Sequence, residues 1–180
     1  IDSDLFPTPI MSADFSPIEE RLATLTEQNG SYTVRVSDPN GSKASQIFTT
    51  SVPDYELDWI TKDEVALKTK TSAFAPTALE IVSTKNRTAS PRPFNNYGAD
   101  LLWSPDGSMY LASETLSDGR FSNIALYRRD GGDTKIFAIR TLPEKCTFGS
   151  ETSTIVYCAI PNPVSFDQNV LPDAWWQGKM

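Results

Sequence analysis

Four aromatic residues, Phe15, Trp59, Trp103 and Phe148, stand 44, 44 and 45 positions apart in a chain of 180 residues. Each is followed by a short polar turn: Ser16-Pro17, Thr61-Lys62-Asp63, Ser104-Pro105-Asp106-Gly107 and Gly149-Ser150-Glu151. A second apolar run follows each turn. A period of this length marks a stacked supersecondary unit, because one such unit cannot bury its own apolar face and needs a neighbour of the same kind.

The rest of the unit repeats more weakly. Alternating runs recur as "SYTVRVS" (Tyr32, Val34, Val36), "ALEIVS" (Leu79, Ile81) and "NIALYRR" (Ile124, Leu126), and shorter ones follow in "SQIFTTSV" and "TKIFAIR". Apolar residues at every second position place one face of a strand against a core. "DPNG" at 38–41 and "DGGD" at 130–133 supply turns, with Asp capping and Gly taking positive φ. Four strands in each unit of about 44 residues is the arithmetic of a β-propeller blade. A β-sandwich also has regularly spaced short strands, but it has no reason to repeat an aromatic at a fixed interval. The best helical candidate is residues 16–28, "SPIEERLATLTEQ"; the repeat register makes "RLATLTE" the second strand of a blade instead.

Residues 103–137, "WSPDGSMYLASETLSDGRFSNIALYRRDGGDTKIF", resemble the WD40-like (PD40) blade of TolB-type propellers, a blade also found in prolyl-oligopeptidase-type peptidases. The resemblance implies that Trp103 anchors the first strand and that Ser-Pro-Asp-Gly makes the hairpin turn. It places the third strand and its Asp-Gly turn at "NIALYRRDGG". It covers about a fifth of the chain, and the units at Phe15, Trp59 and Phe148 share its register without Pro-Asp-Gly. Such a motif speaks for fold and hardly for function.

The expectation is an all-β chain, one β-propeller region over residues 1–180. Its blades of four antiparallel strands lie at 10–52, 53–97, 98–142 and, incomplete, 143–180. Phe15, Trp59, Trp103 and Phe148 are the expected blade anchors, equivalent in position and each in its own sheet. The last unit offers two strands through Ile160 and then "PNPVSFDQNVLPDAWWQGKM", with three prolines and no alternating run. "LFPTPI" at the start reads as the outer strand of a preceding blade. About three complete blades and a partial one fall short of the four to eight of a closed propeller. The chain therefore reads as a fragment of a larger propeller, its end faces covered by further blades of the parent chain or by a second chain.

Charge and composition exclude several functions. The net charge of −7 leaves no basic stripe to displace counterions from phosphates, so no nucleic-acid partner is expected. There is no histidine, which rules out a Ser-His-Asp or Cys-His apparatus within the chain and histidine-bound zinc. Two cysteines alone do not make a four-cysteine zinc site. No apolar run approaches the roughly 20 residues that span a bilayer, and "IDSDLFPTPI" lacks the basic start and apolar stretch of a signal peptide. Carboxylates total 23. The clusters "IDSD", "PIEE" and Asp130 with Asp133 lack the spacing of a calcium loop, so no metal or cofactor is expected.

Cys146 and Cys158 lie symmetrically about residue 152, the middle of the last hairpin turn, which sets them across one ladder. Opposed residues at a non-hydrogen-bonded pair have Cα atoms about 4.5 Å apart, at the lower edge of what a disulfide accepts. A disulfide implies an extracytoplasmic location, periplasmic, cell-surface or secreted; the other reading is two buried thiols in a cytosolic core. Trp175 and Trp176 are candidates for partner binding, or for a lid packed on the last blade. The triplets at Asn29, Asn40 and Asn86 have the glycosylation pattern but read as turn chemistry.

These features favour a non-catalytic propeller acting as a protein-interaction or cell-surface scaffold. The alternative is the substrate-gating propeller of a prolyl-oligopeptidase-type serine peptidase. That reading needs a Gly-x-Ser-x-Gly elbow, which these 180 residues do not contain. A glycosidase built on paired carboxylates has no pair that stands out.

Overall fold

The computed structural model describes residues 8–132, 134–149 and 155–160, with backbone only at 93–96, 121 and 122. The chain divides into two compact units, one of Ile1–Lys70 with Ala78–Pro93, the other of Thr71–Thr77 with Phe94–Met180.

In the first unit, β1 (Ile10–Phe15), β2 (Leu22–Gln28), β3 (Ser31–Ser37) and β4 (Ser45–Thr50) form an antiparallel meander in chain order. The β2–β3 turn shows why the register is set locally. Asn29 and Gly30 both take left-handed φ, 53° and 76°, the pairing that matches the twist of two joined strands. "RLATLTE" is strand, as the repeat register requires. Leu22, Thr24 and Thr26 alternate with Ala23 and Leu25 along β2, and all five are buried. Burial of both faces removes the polar–apolar alternation, which is why this run can pass for helix.

β5 (Tyr55–Thr61), β6 (Glu64–Thr69) and β7 (Pro76–Ser83) begin a second meander, closed by the leading part of β8 (Ala89–Trp103). One core joins the two sheets of this unit. The first contributes Ala23, Leu25, Val34, Val36 and Ile47, and the second Tyr55, Leu57, Trp59, Val65, Leu67 and Val82. Successive repeats thus pack face on face, each burying what the other cannot bury alone.

The second unit holds the end of β8, then β9 (Met109–Thr115), β10 (Phe121–Arg128) and β11 (Lys135–Phe137). A 3-10 turn, Pro143–Lys145, leads into the hairpin of β12 (Cys146–Phe148) and β13 (Val156–Cys158). Ser104-Pro105-Asp106-Gly107 makes the β8–β9 turn. Gly107 takes φ 67°, its N–H donates to Ser104 O at 2.8 Å, and the Asp106 carboxylate accepts from Ser104 Oγ at 2.7 Å and from the Ser108 N–H at 3.0 Å.

One expectation is corrected. Trp59 and Trp103 do not lie in separate sheets, because the hydrogen-bonded order runs β11-β10-β9-β8-β7-β6-β5. The reason is β8. This 15-residue strand closes one four-stranded group and opens the next, and its pairing with β9 shifts between Tyr97 and Asp100. Gly98, at φ 60° with its N–H donating to Ala75 O at 3.0 Å, makes the bend. The boundary expected between residues 97 and 98 therefore falls inside a strand. Four-stranded antiparallel groups remain, two of them sharing β8.

Candidate functional site

Each repeat aromatic pairs across a hairpin: Phe15 with Leu22, Trp103 with Tyr110 and Phe148 with Val156 at the last pair before the turn, and Trp59 with Val65 one pair earlier. Burial separates them. Trp59 is buried, Trp103 and Phe148 are half-buried, and Phe15 is 59% exposed. At Phe15 the repeat marks a strand end rather than a buried position.

Cys146 and Cys158 are bonded, with Cα atoms 4.0 Å apart. They face each other in register. The Ala159 N–H donates to Lys145 O and the Gly149 N–H to Ile155 O, both at 2.9 Å. These flanking bonds put the cysteines at a non-hydrogen-bonded pair, the narrow position expected from the sequence. Trp175, Trp176, Asp133 and the "IDSD" cluster lie outside the described residues. Among the described residues, no three His, Cys, Asp or Glu side chains are grouped to hold a metal ion, and no helix is long and apolar enough to cross a membrane. Asn29, Asn40 and Asn86 all sit on exposed turns, and Asn40 Oδ1 accepts from the Ser42 N–H at 3.0 Å.

Three arrangements were not legible as sites. In the first unit, β1 caps β5 with side chains. The Trp59 N–H donates to Asp14 Oδ2 at 2.7 Å and the Leu57 N–H to Ser12 Oγ at 3.1 Å. Burial raises the Asp14 pKa, opposed by the N–H bonds from Trp59 and Phe15. The only sequence hint is that an Asp precedes the aromatic in both "ADF" and "LDW". In the same unit the buried Lys68 ammonium meets Glu56 Oε2 at 2.8 Å, across the β5–β6 ladder.

In the second unit, Trp103, Tyr110 and Tyr127 stand side by side on three adjacent strands. Their ring centroids are 5.1 and 5.2 Å apart, the tyrosines stacked. The Tyr127 hydroxyl donates to Glu114 at 3.1 Å, and burial with that carboxylate pushes its pKa to about 12. Tyr55, hydrogen-bonded to Glu80, is likewise raised to about 12, chiefly by burial. Asp130 is held down at about 2 by Arg128 and the Gly132 N–H, and Asp106 is lowered by Ser104 and Ser108. At neutral pH these phenols stay protonated and these aspartates stay ionised. Such groups hold turns and ladders; they do not shuttle protons near neutrality.

Asp14 is expected to matter as an acceptor rather than as a charge. Asp14→Ala orphans the Trp59 N–H and should destabilise the chain by about 1–2 kcal/mol. Asp14→Asn keeps an acceptor oxygen without the desolvated charge and should be neutral or stabilising at pH 7. Because the folded-state pKa is raised, the wild-type contribution is greatest below the unfolded value. It is lost as pH rises through the folded one. Urea unfolding of both variants at pH 4 and pH 7 checks this, and equal losses for Ala and Asn at pH 7 would contradict it.

No protein-family profile and no curated protein matches the chain. Solved structures do. An uncharacterised protein from Listeria monocytogenes is 10% identical, with a TM-score of 0.52 over 74% of this chain and 44% of its own. The WD40 domain of Toxoplasma gondii coronin (14%, TM-score 0.44, 73% of this chain and 34% of its own) is also similar. So is the β-propeller domain of the Trilobed protease from Pyrococcus furiosus (11%, 0.43, 71% and 42%). At these identities the likeness concerns fold alone. The chain itself is all β, built of antiparallel four-stranded groups and one short hairpin. It spans less than half the length of each of these three structures.

Proposed function

We propose that this chain is a segment of a non-catalytic β-propeller, of the TolB-like type that residues 103–137 resemble, serving as an extracytoplasmic protein-interaction scaffold. The observation that carries this reading is what the repeats turn outward. On one side of β1, Met11, Ala13 and Phe15 are all exposed, Met11 by 56% and Phe15 by 59%, and Ile18 in the following turn by 61%. A row of apolar side chains at the edge of a repeat suits a protein neighbour, whether further blades of the parent chain or a second chain. The disulfide supports a location outside the reducing cytosol.

The test uses the full-length parent protein. Labelling of native protein with a thiol reagent, before and after reduction, should find Cys146 and Cys158 protected until reduced. A fluorophosphonate probe for activated serines should leave the parent unlabelled. Labelling at a serine beyond these residues would overturn the non-catalytic reading and favour a propeller that gates a peptidase.

A further inference from the structure

The β12–β13 hairpin differs from every other strand pair described. It forms a two-stranded sheet of its own, with three residues in each strand. None of its described residues, 146–149 and 155–160, is buried, and Ile155, Tyr157 and Ile160 are 56%, 61% and 57% exposed. By contrast β2, β3 and β6 each carry side chains with essentially no exposure, such as Ala23, Val34 and Leu67. An isolated two-stranded hairpin is marginal in water because its ladder bonds barely offset the chain entropy lost. Outside the ladder, the Thr141 hydroxyl donates to Ala159 O at 2.6 Å. The disulfide across its open end therefore supplies what burial supplies elsewhere.

The geometry points to a redox-gated element: the Cys146–Cys158 disulfide holds β12 and β13 together, and its reduction releases these two strands while the larger sheets stay folded. The reductant is a dithiol, small or carried by an oxidoreductase. One of its thiolates attacks a cysteine sulfur, the S–S bond breaks, and the departing cysteine sulfur takes up a proton. The second thiolate then attacks the mixed disulfide, freeing the other cysteine and leaving the dithiol as a disulfide. Two electrons pass from the dithiol to the protein. Both cysteines are only half-buried, so a thiol can reach them. Release would expose the backbone of Val156–Cys158 for pairing with another strand.

Hydrogen–deuterium exchange of the full-length parent protein tests this, using dithiothreitol as the dithiol and the Cys146→Ser/Cys158→Ser variant as a second route to the open form. Amide exchange in peptides from 141 to 160 should speed up roughly a hundredfold on reduction, the opening factor expected when a loop of this size loses its cross-link. The serine variant should show the same increase without reductant, reoxidation of the wild type should reverse it, and β2, β3 and β6 should keep their protection throughout. Unchanged exchange in 141–160 after confirmed reduction would overturn the proposal. Loss of protection spreading through β2, β3 and β6 would overturn it as well, by making the disulfide a staple of the whole chain.

Discussion

Replacing Gly98 with alanine should destabilise the second unit by about 2–5 kcal/mol. Two costs add. Gly98 has φ 60°, where an L side chain costs about 1–2 kcal/mol. An added Cβ would also lie 2.7 Å from Thr115 Cγ2 and 2.9 Å from its Oγ1, with Ala73 Cα at 3.3 Å. Thr115 cannot easily turn aside, because its buried hydroxyl donates to Ala73 O at 2.7 Å. Forcing atoms into a filled site typically costs about 1–3 kcal/mol. Gly131 is the control: its φ is 81°, but nothing lies within 4 Å of an added Cβ, so Gly131→Ala should lose only the conformational part. Urea denaturation of the two variants separates the terms. Equal midpoints would show that the close approach at the β8 bend contributes nothing.

Leu67→Ala should cost about 2–5 kcal/mol, the range for deleting a large side chain from a filled core. Leu67 has 0% exposure, and it sits in the cluster that joins the two sheets of the first unit. The loss combines the apolar area returned to water with the cavity left behind, since sheets held on both sides relax only in part. Leu116, 51% exposed, provides the comparison, and Leu116→Ala should stay within about 0.5 kcal/mol of wild type. Thermal melts of the two variants check the contrast. If Leu67→Ala melted with Leu116→Ala, the face-to-face packing of the two sheets in the first unit would not be a main source of stability.

Strand content and hairpin register belong to the sequence because they are decided over a few residues. Asn29-Gly30 accepts left-handed φ at both positions and so sets the β2–β3 pairing. Ser104 and Asp106 close their own turn, and Cys146 and Cys158 could be placed opposite each other by counting from a turn centre. The interval between aromatics likewise carried the four-stranded unit, because stacked copies must keep one length to keep one geometry.

What the tertiary structure decided depends on what lies across from a residue, and no local pattern carries that. Phe15 and Trp59 hold the same place in the sequence repeat, yet one is exposed and the other buried, because Trp59 lies in the core that joins the two sheets of the first unit. Asp14 became a cap only when β5 came alongside with an N–H lacking a strand partner there. Lys68, a residue type expected at the surface, is buried against Glu56. β8 runs through the expected repeat boundary because one strand pairs with both β7 and β9 with no intervening turn, its register shifting between Tyr97 and Asp100. Periodicity reports the length of a unit; the exchange of hydrogen-bond partners along a single strand is settled only when both neighbouring ladders are in place.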